Sequence, residues 1–357
     1  MSTTHDRETE TGCIEFLTVR DNSVESISIF LYLRVMDNPM LEVRNLSVRV
    51  QDPKGDIFLV QEINLSLKHG EIFALVGESG SGKTTLACAL TKLFFPFSRH
   101  ETSGDVYFAE HNLLQLEDHA LRQIRRKNIR YVFQEPALSL NPISRIKTQY
   151  VDAIVNVTPM EDQRAVEKAK IDLKNVGIEN PDDVLRSYPH ELSGGTLQRI
   201  LIALALSPNP ELIIADEPTS SVDAPLRFQL LDLLDNARKN GRSSVLLITH
   251  DLNIASRYAD TVAVMYAGRI VEVAPKHMFF DTPLHPYSQV LCKGARLTES
   301  SLNDLAVLNE NPPHPSDLPQ GCKFHPICYK VHDDCRLFEP QLESIEVERK
   351  VRCPYWK

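Results

Sequence analysis

The run Gly77-Glu78-Ser79-Gly80-Ser81-Gly82-Lys83-Thr84-Thr85 contains the residue types needed to hold a polyphosphate. Its glycines let successive backbone N–H groups turn inward around phosphate oxygens. Lys83 can reach the outer phosphates as a point charge, and the Thr84 hydroxyl can ligate Mg²⁺. The loop follows the apolar run IFALV and precedes LACALTKLF, a strand–loop–helix context suited to nucleotide binding. Far along the chain, a second apolar run, LIIA, ends in Asp216, with Glu217 next. An acid at the carboxyl end of a parallel strand stands where open α/β sheets bind ligands. Asp216 is therefore expected to hold Mg²⁺, and Glu217 to act as the base that polarises an attacking water.

These groups need a rigid frame. Short apolar runs recur at 72–76, 131–133, 212–215, 245–249 and 262–266, separated by helical or loop material. They read as buried strands of an α/β sheet covered on both faces. Val166, Ala169, Leu173 and Val176 share one face of a helix ending near Gly177, which puts a helical insertion within the sheet domain. From about Ala274 the chain shifts to Pro, His and Cys, without a long helical pattern, and reads as a small loop-rich second domain.

Between the loop and the acid pair lies Leu192-Ser193-Gly194-Gly195-Thr196-Leu197-Gln198-Arg199, which resembles the signature sequence of ABC ATPases. Ser193, Gly194 and Gly195 open a helix, giving a second anion-binding terminus. Other elements resemble the same family in order: Gln134 in YVFQEP the Q-loop, Ser220-Ser221-Val222-Asp223 the D-loop, and His250 in LLITHDL the switch histidine. The resemblance implies a P-loop NTPase fold of the ABC type, with a mixed sheet core, a helical subdomain at about 135–195 and a nucleotide-binding domain at 40–275. It implies ATP and Mg²⁺ as ligands, with Gln134 touching Mg²⁺ and His250 contacting the γ-phosphate. It also implies a head-to-tail dimer in which each signature closes over the partner's ATP. Val50 stands near where the family stacks an aromatic ring on adenine, and Phe58 reads equally well as the replacement or as strand core.

FQEPALSLNP, SYPHELSGG and LHPYSQVL together resemble the oligopeptide, dipeptide and nickel permease branch, whose C-terminal extension would span 276–357. Cys322, Cys328, Cys335 and Cys353 fall within it. In a reducing compartment such clustering favours metal over disulfide. No pair has the spacing usual for zinc, whereas iron–sulfur clusters tolerate varied spacing. Some members of the branch carry a [4Fe–4S] cluster at the matching cysteines, so the resemblance implies that cluster, with zinc or free thiols as alternatives. Cys13, Cys88 and Cys292 read as ordinary small residues.

The net charge of −9 argues against a broad nucleic-acid surface. No stretch approaches the apolar length of a membrane span, so partners would have to supply one. The resemblance implies two transmembrane permease subunits, an extracytoplasmic solute-binding protein and a second ATPase subunit, a heterodimer being favoured over a homodimer. The chain would work at the cytoplasmic face of the membrane. Residues 1–39 match no catalytic pattern and lack the features of a secretory signal. A strand-like run begins at Leu41, directly after Met40, so translation is expected to start at Met36 or Met40.

Overall fold

A computed structural model describes residues 39–52, 55–94, 100–220, 222–241, 243–296 and 312–357. The expectations for residues 1–38 and Cys13 lie outside the described residues. Pro39–Lys357 form one compact unit.

Two sheets make the frame. The first is antiparallel, in the order β2 (Gly55–Leu67), β1 (Leu41–Asp52), β4 (His100–Phe108), β5 (His111–Asn112). The second has parallel strands β9 (Thr261–Tyr266), β3 (Ile72–Val76), β8 (Ser244–Thr249), β7 (Leu212–Asp216) and β6 (Ile129–Val132), in that order. Beyond β9 it continues antiparallel through β10 (Arg269–Pro275), β12 (Arg349–Val351) and β11 (Glu343–Glu346). The sheet is therefore mixed, as expected for this fold.

The period-two pattern of a strand sends alternate side chains to opposite faces. In β7, Leu212 and Ile214 pack towards the antiparallel sheet, while Ile213 and Ala215 pack towards the helices. In β8, Leu246 and Ile248 take the first side, and Val245 and Leu247 the second. All of these are buried, which explains why the runs are apolar without interruption.

Helix α1 (Lys83–Leu90) follows β3 through the glycine loop. Between β6 and the signature lie the helices of the inserted subdomain: α2 (Pro136–Ser139), α3 (Ile146–Val155), α4 (Asp162–Asn175) and α5 (Pro181–Arg186). Ala165, Ala169 and Leu173 form the buried stripe of α4, and Val176 caps its end. The signature helix α6 (Gly194–Leu206) and α7 (Ala224–Lys239) then cover the β7–β8 face.

The sequence reading differs from the structure at two places. The strand read at 131–133 begins earlier, at Ile129, and stops before Phe133. The tail read as lacking a long helix contains α8 (Pro286–Arg296). Its start carries no local cap of the Ser, Asp or Asn type. The Glu272 carboxylate, on β10 and fully buried, accepts from Leu284 N at 2.9 Å and His285 N at 2.8 Å. The local cap is a histidine, whose Nδ1 accepts from Tyr287 N at 3.1 Å. Glu272 holds the two residues that lead into the helix from a distant strand, a contact that leaves no trace in local sequence. Phe279, Tyr287, Cys292 and Phe324 from this tail cover the Val262, Val264 and Tyr266 face of β9.

Candidate functional site

The phosphate loop runs from the end of β3 into α1. Two of its glycines are required by close approach. A Cβ on Gly77 would stand 2.3 Å from the Met265 carbonyl oxygen, and one on Gly82 2.9 Å from the Leu59 carbonyl oxygen. Gly82 also has φ +101°. Ser81 is buried, whereas Ser79, Gly80 and Thr84 are exposed at the mouth. Lys83 is buried, and its Nζ donates to the carbonyls of Gly77 at 2.8 Å and Glu78 at 2.7 Å. Burial pulls the Lys83 ammonium below its ordinary range, while Glu217, Asp216 and Glu78 pull it back up.

β7 ends with Asp216 beside this loop because β7, β8 and β3 are consecutive parallel neighbours. Asp216 is only 1% exposed. One carboxylate oxygen accepts from the Tyr131 hydroxyl at 3.1 Å, and the other is buried without a hydrogen-bond partner. Burial pushes this carboxyl above the usual range, opposed by the Tyr131 hydroxyl and by the charge of Lys83. Glu217 has a left-handed backbone, φ 47°, a conformation that costs energy and recurs at functional sites. Its Oε1 accepts from His250 N at 3.0 Å and lies 2.7 Å from His250 Nδ1.

A cavity of about 570 Å³ gathers Glu78, Ser79, Gly80, Gly82, Lys83, Thr84, Thr85, Gln134, Asp216, Glu217 and His250. Gln134 enters it from the exposed turn after β6. The unpartnered Asp216 oxygen, the Thr84 hydroxyl and Gln134 are hard oxygen donors in one place, so these residues fit Mg²⁺.

Other expected residues stand elsewhere. Ser193 is exposed and caps α6, accepting from Thr196 N at 3.3 Å, and Gly194 is exposed beside it. They and Gly195 do not line the cavity. Asp223 is the exposed residue preceding α7. Phe58 is half-buried on β2, paired with Arg49.

Cys322, Cys328 and Cys353 are half-buried and Cys335 is buried. They lie near enough for their charges to act on one another, and burial pushes Cys322 and Cys353 up to about 11. Among the described residues, no group of three or more His, Cys, Asp or Glu side chains is arranged to hold a metal ion. The placement of these side chains therefore does not support the expected cluster. Cys88 lies 3.9 Å from the Tyr131 hydroxyl, and Cys292 is buried.

Tyr131 is a site residue that the sequence did not reveal. It read as one apolar position of a strand, and only the pairing of β6 with β7 sets its hydroxyl on Asp216.

Glycine loop, buried lysine and strand-end carboxylates define a nucleotide-binding ATPase of the P-loop class. Residues 60–220 match the family model for ABC transporters, and residues 271–335 match that for the oligopeptide/dipeptide transporter C-terminal region. The chain is 36% identical over 314 residues to the oligopeptide transport ATP-binding protein AppD of Bacillus subtilis, covering 88% of this chain and 96% of AppD. It is 35% identical over 316 residues to OppD of Salmonella typhimurium, covering 88% and 93%. Among solved structures, a dimeric post-hydrolysis state of the ATP-binding cassette MJ0796 with ADP and Pi matches with a TM-score of 0.60 and 28% identity. That match covers 66% of this chain and 99% of the cassette. CbiO1 from Clostridium perfringens matches with a TM-score of 0.55 and 26% identity, covering 73% and 96%. The chain belongs to the ABC transporter family, in the branch of oligopeptide transport ATP-binding proteins.

Among the described residues no helix is long and apolar enough to cross a membrane.

Proposed function

We propose that this chain is the ATP-hydrolysing subunit that powers an ABC importer for peptides, attached to two permease subunits at the cytoplasmic face of the membrane. The observation carrying this reading is the division of the phosphate-binding groups between two places. Loop, Asp216, Glu217, Gln134 and His250 share one cavity, while the Ser193 helix start is exposed outside it. A second anion-binding terminus outside the cavity suits a nucleotide held by another subunit. The dimeric MJ0796 structure supports the same arrangement. A heterodimer with a related ATPase, and an extracytoplasmic binding protein delivering peptide, complete the reading.

In this mechanism the loop N–H groups and Lys83 hold the phosphates. Thr84, Asp216 and Gln134 hold Mg²⁺, which when bound neutralises charge on the β- and γ-phosphates. Glu217, fixed by His250 N and Nδ1, takes the proton of the attacking water. Turnover separates the two subunits again, and the helical subdomain passes that movement to the permease. In the assembled transporter, Glu217→Gln is expected to lower ATP turnover by about a hundredfold or more while ATP binding persists. Full turnover in that variant would overturn the assignment.

A [4Fe–4S] cluster at Cys322, Cys328, Cys335 and Cys353 stays part of this reading on donor chemistry alone, four thiols suiting iron–sulfur more than their spacing suits zinc. Anaerobic purification followed by iron and sulfide analysis tests it. A folded, colourless, iron-free protein would end it.

A further inference from the structure

We propose that Tyr287 is a positioning residue for the phosphate loop: its hydroxyl accepts the Glu78 N–H and fixes where the loop begins, so that the C-terminal extension sets how tightly nucleotide is held. The inference rests on the reading of this loop as the ATP site, and goes beyond it by giving the extension a part in nucleotide binding.

Glu78 N donates to the Tyr287 oxygen at 3.2 Å. Tyr287 is 2% exposed, so water does not compete for that bond. On its other side the loop meets the end of β9, where Gly77 lies against the Met265 carbonyl. The first two residues of the loop are thus held between a strand end and one hydroxyl.

The ring carrying that hydroxyl is itself fixed. Tyr287 packs on Tyr266 with centroids 4.7 Å apart and on Phe324 at 5.4 Å, and Phe324 meets Tyr266 edge-on at 5.3 Å. Such aromatic contacts add rigidity beyond area burial. The backbone is fixed as well. Tyr287 N donates to His285 Nδ1 at 3.1 Å, and His285 N donates to the buried Glu272 carboxylate. His285 is fully enclosed, and burial pulls its imidazole down to about 3, which keeps it a neutral acceptor. The three residues His285-Pro286-Tyr287 therefore act in turn, histidine receiving the tyrosine N–H, proline beginning α8, and tyrosine reaching the loop.

The proposal is tested with Tyr287→Phe in the assembled transporter, with Phe324→Leu as the companion that loosens the same ring cluster but keeps the hydroxyl. Losing one neutral hydrogen bond is expected to raise KM for ATP about two- to tenfold in Tyr287→Phe. kcat at saturating ATP should be retained, and Phe324→Leu should shift KM less. An unchanged KM with only a lower Tm would overturn the proposal, as would equal KM shifts in both variants. Hydrogen exchange in the unaltered chain gives a check free of folding effects. A protected Glu78 amide supports the bond, and an amide exchanging at the rate of exposed Ser79 overturns it. Failure of the unaltered chain to bind ATP would instead sink the underlying reading of the loop.

Discussion

The buried Asp216 carboxylate costs stability, so Asp216→Asn is expected to stabilise the nucleotide-free chain and, on the proposed Mg²⁺ role, to abolish Mg²⁺-dependent turnover. The wild-type carboxylate is 1% exposed and has one oxygen without a partner. Glu217 beside it adds repulsion, and Lys83 offsets part of this. A buried acceptor left unpaired costs about 1–3 kcal/mol, more when charged. Asparagine removes the charge but keeps a polar group, so a gain of about 1 kcal/mol is expected, or roughly 1–2 °C in Tm for a unit of this size. The sign with pH follows from the raised carboxyl. Its neutral form favours the fold, so the wild-type contribution is full below the ordinary Asp range of about 3.9 and falls as pH rises through the higher folded value. The advantage of asparagine should therefore be small in acid and grow as pH rises through the raised folded value. Thermal unfolding of the isolated chain without nucleotide, across that pH range, measures it. A variant less stable than wild type at neutral pH would refute the reasoning. So would Mg²⁺-ATP raising Tm equally in both proteins, because the cation would then not depend on this carboxylate.

Other outcomes follow from the same geometry. Gly77→Ala places a Cβ 2.3 Å from a backbone carbonyl and should cost about 2 kcal/mol of stability together with nucleotide affinity, read by denaturant unfolding and a fluorescent ATP analogue. Tyr131→Phe removes the donor 3.1 Å from Asp216, a bond to a charged group worth about 1.5–3 kcal/mol. Half-maximal Mg²⁺ for ATPase activity should shift, while metal-free ATP binding should not. Ser193→Arg, at an exposed cap, should cost only about 1 kcal/mol of stability yet block nucleotide-driven dimerisation in a Glu217→Gln background, read by light scattering.

Much of the site was legible in the sequence because its residues act through local backbone geometry. A glycine loop between strand and helix, an acid at a strand end, and a serine before two glycines at a helix start each carry their chemistry in consecutive positions. The uninterrupted apolar runs at 72–76 and 212–215 likewise specified strands covered on both faces, because each face of the sheet has its own core. Only the tertiary structure decided what depends on neighbours distant in the chain. Tyr131 touches Asp216 because β6 lies beside β7. The residues leading into the helix at Pro286–Arg296 are held by Glu272 from another strand, and strands of the tail extend the main sheet through β10. Hydrogen bonds and strand pairings across such separations are set by packing and register, which one-dimensional periodicity does not encode.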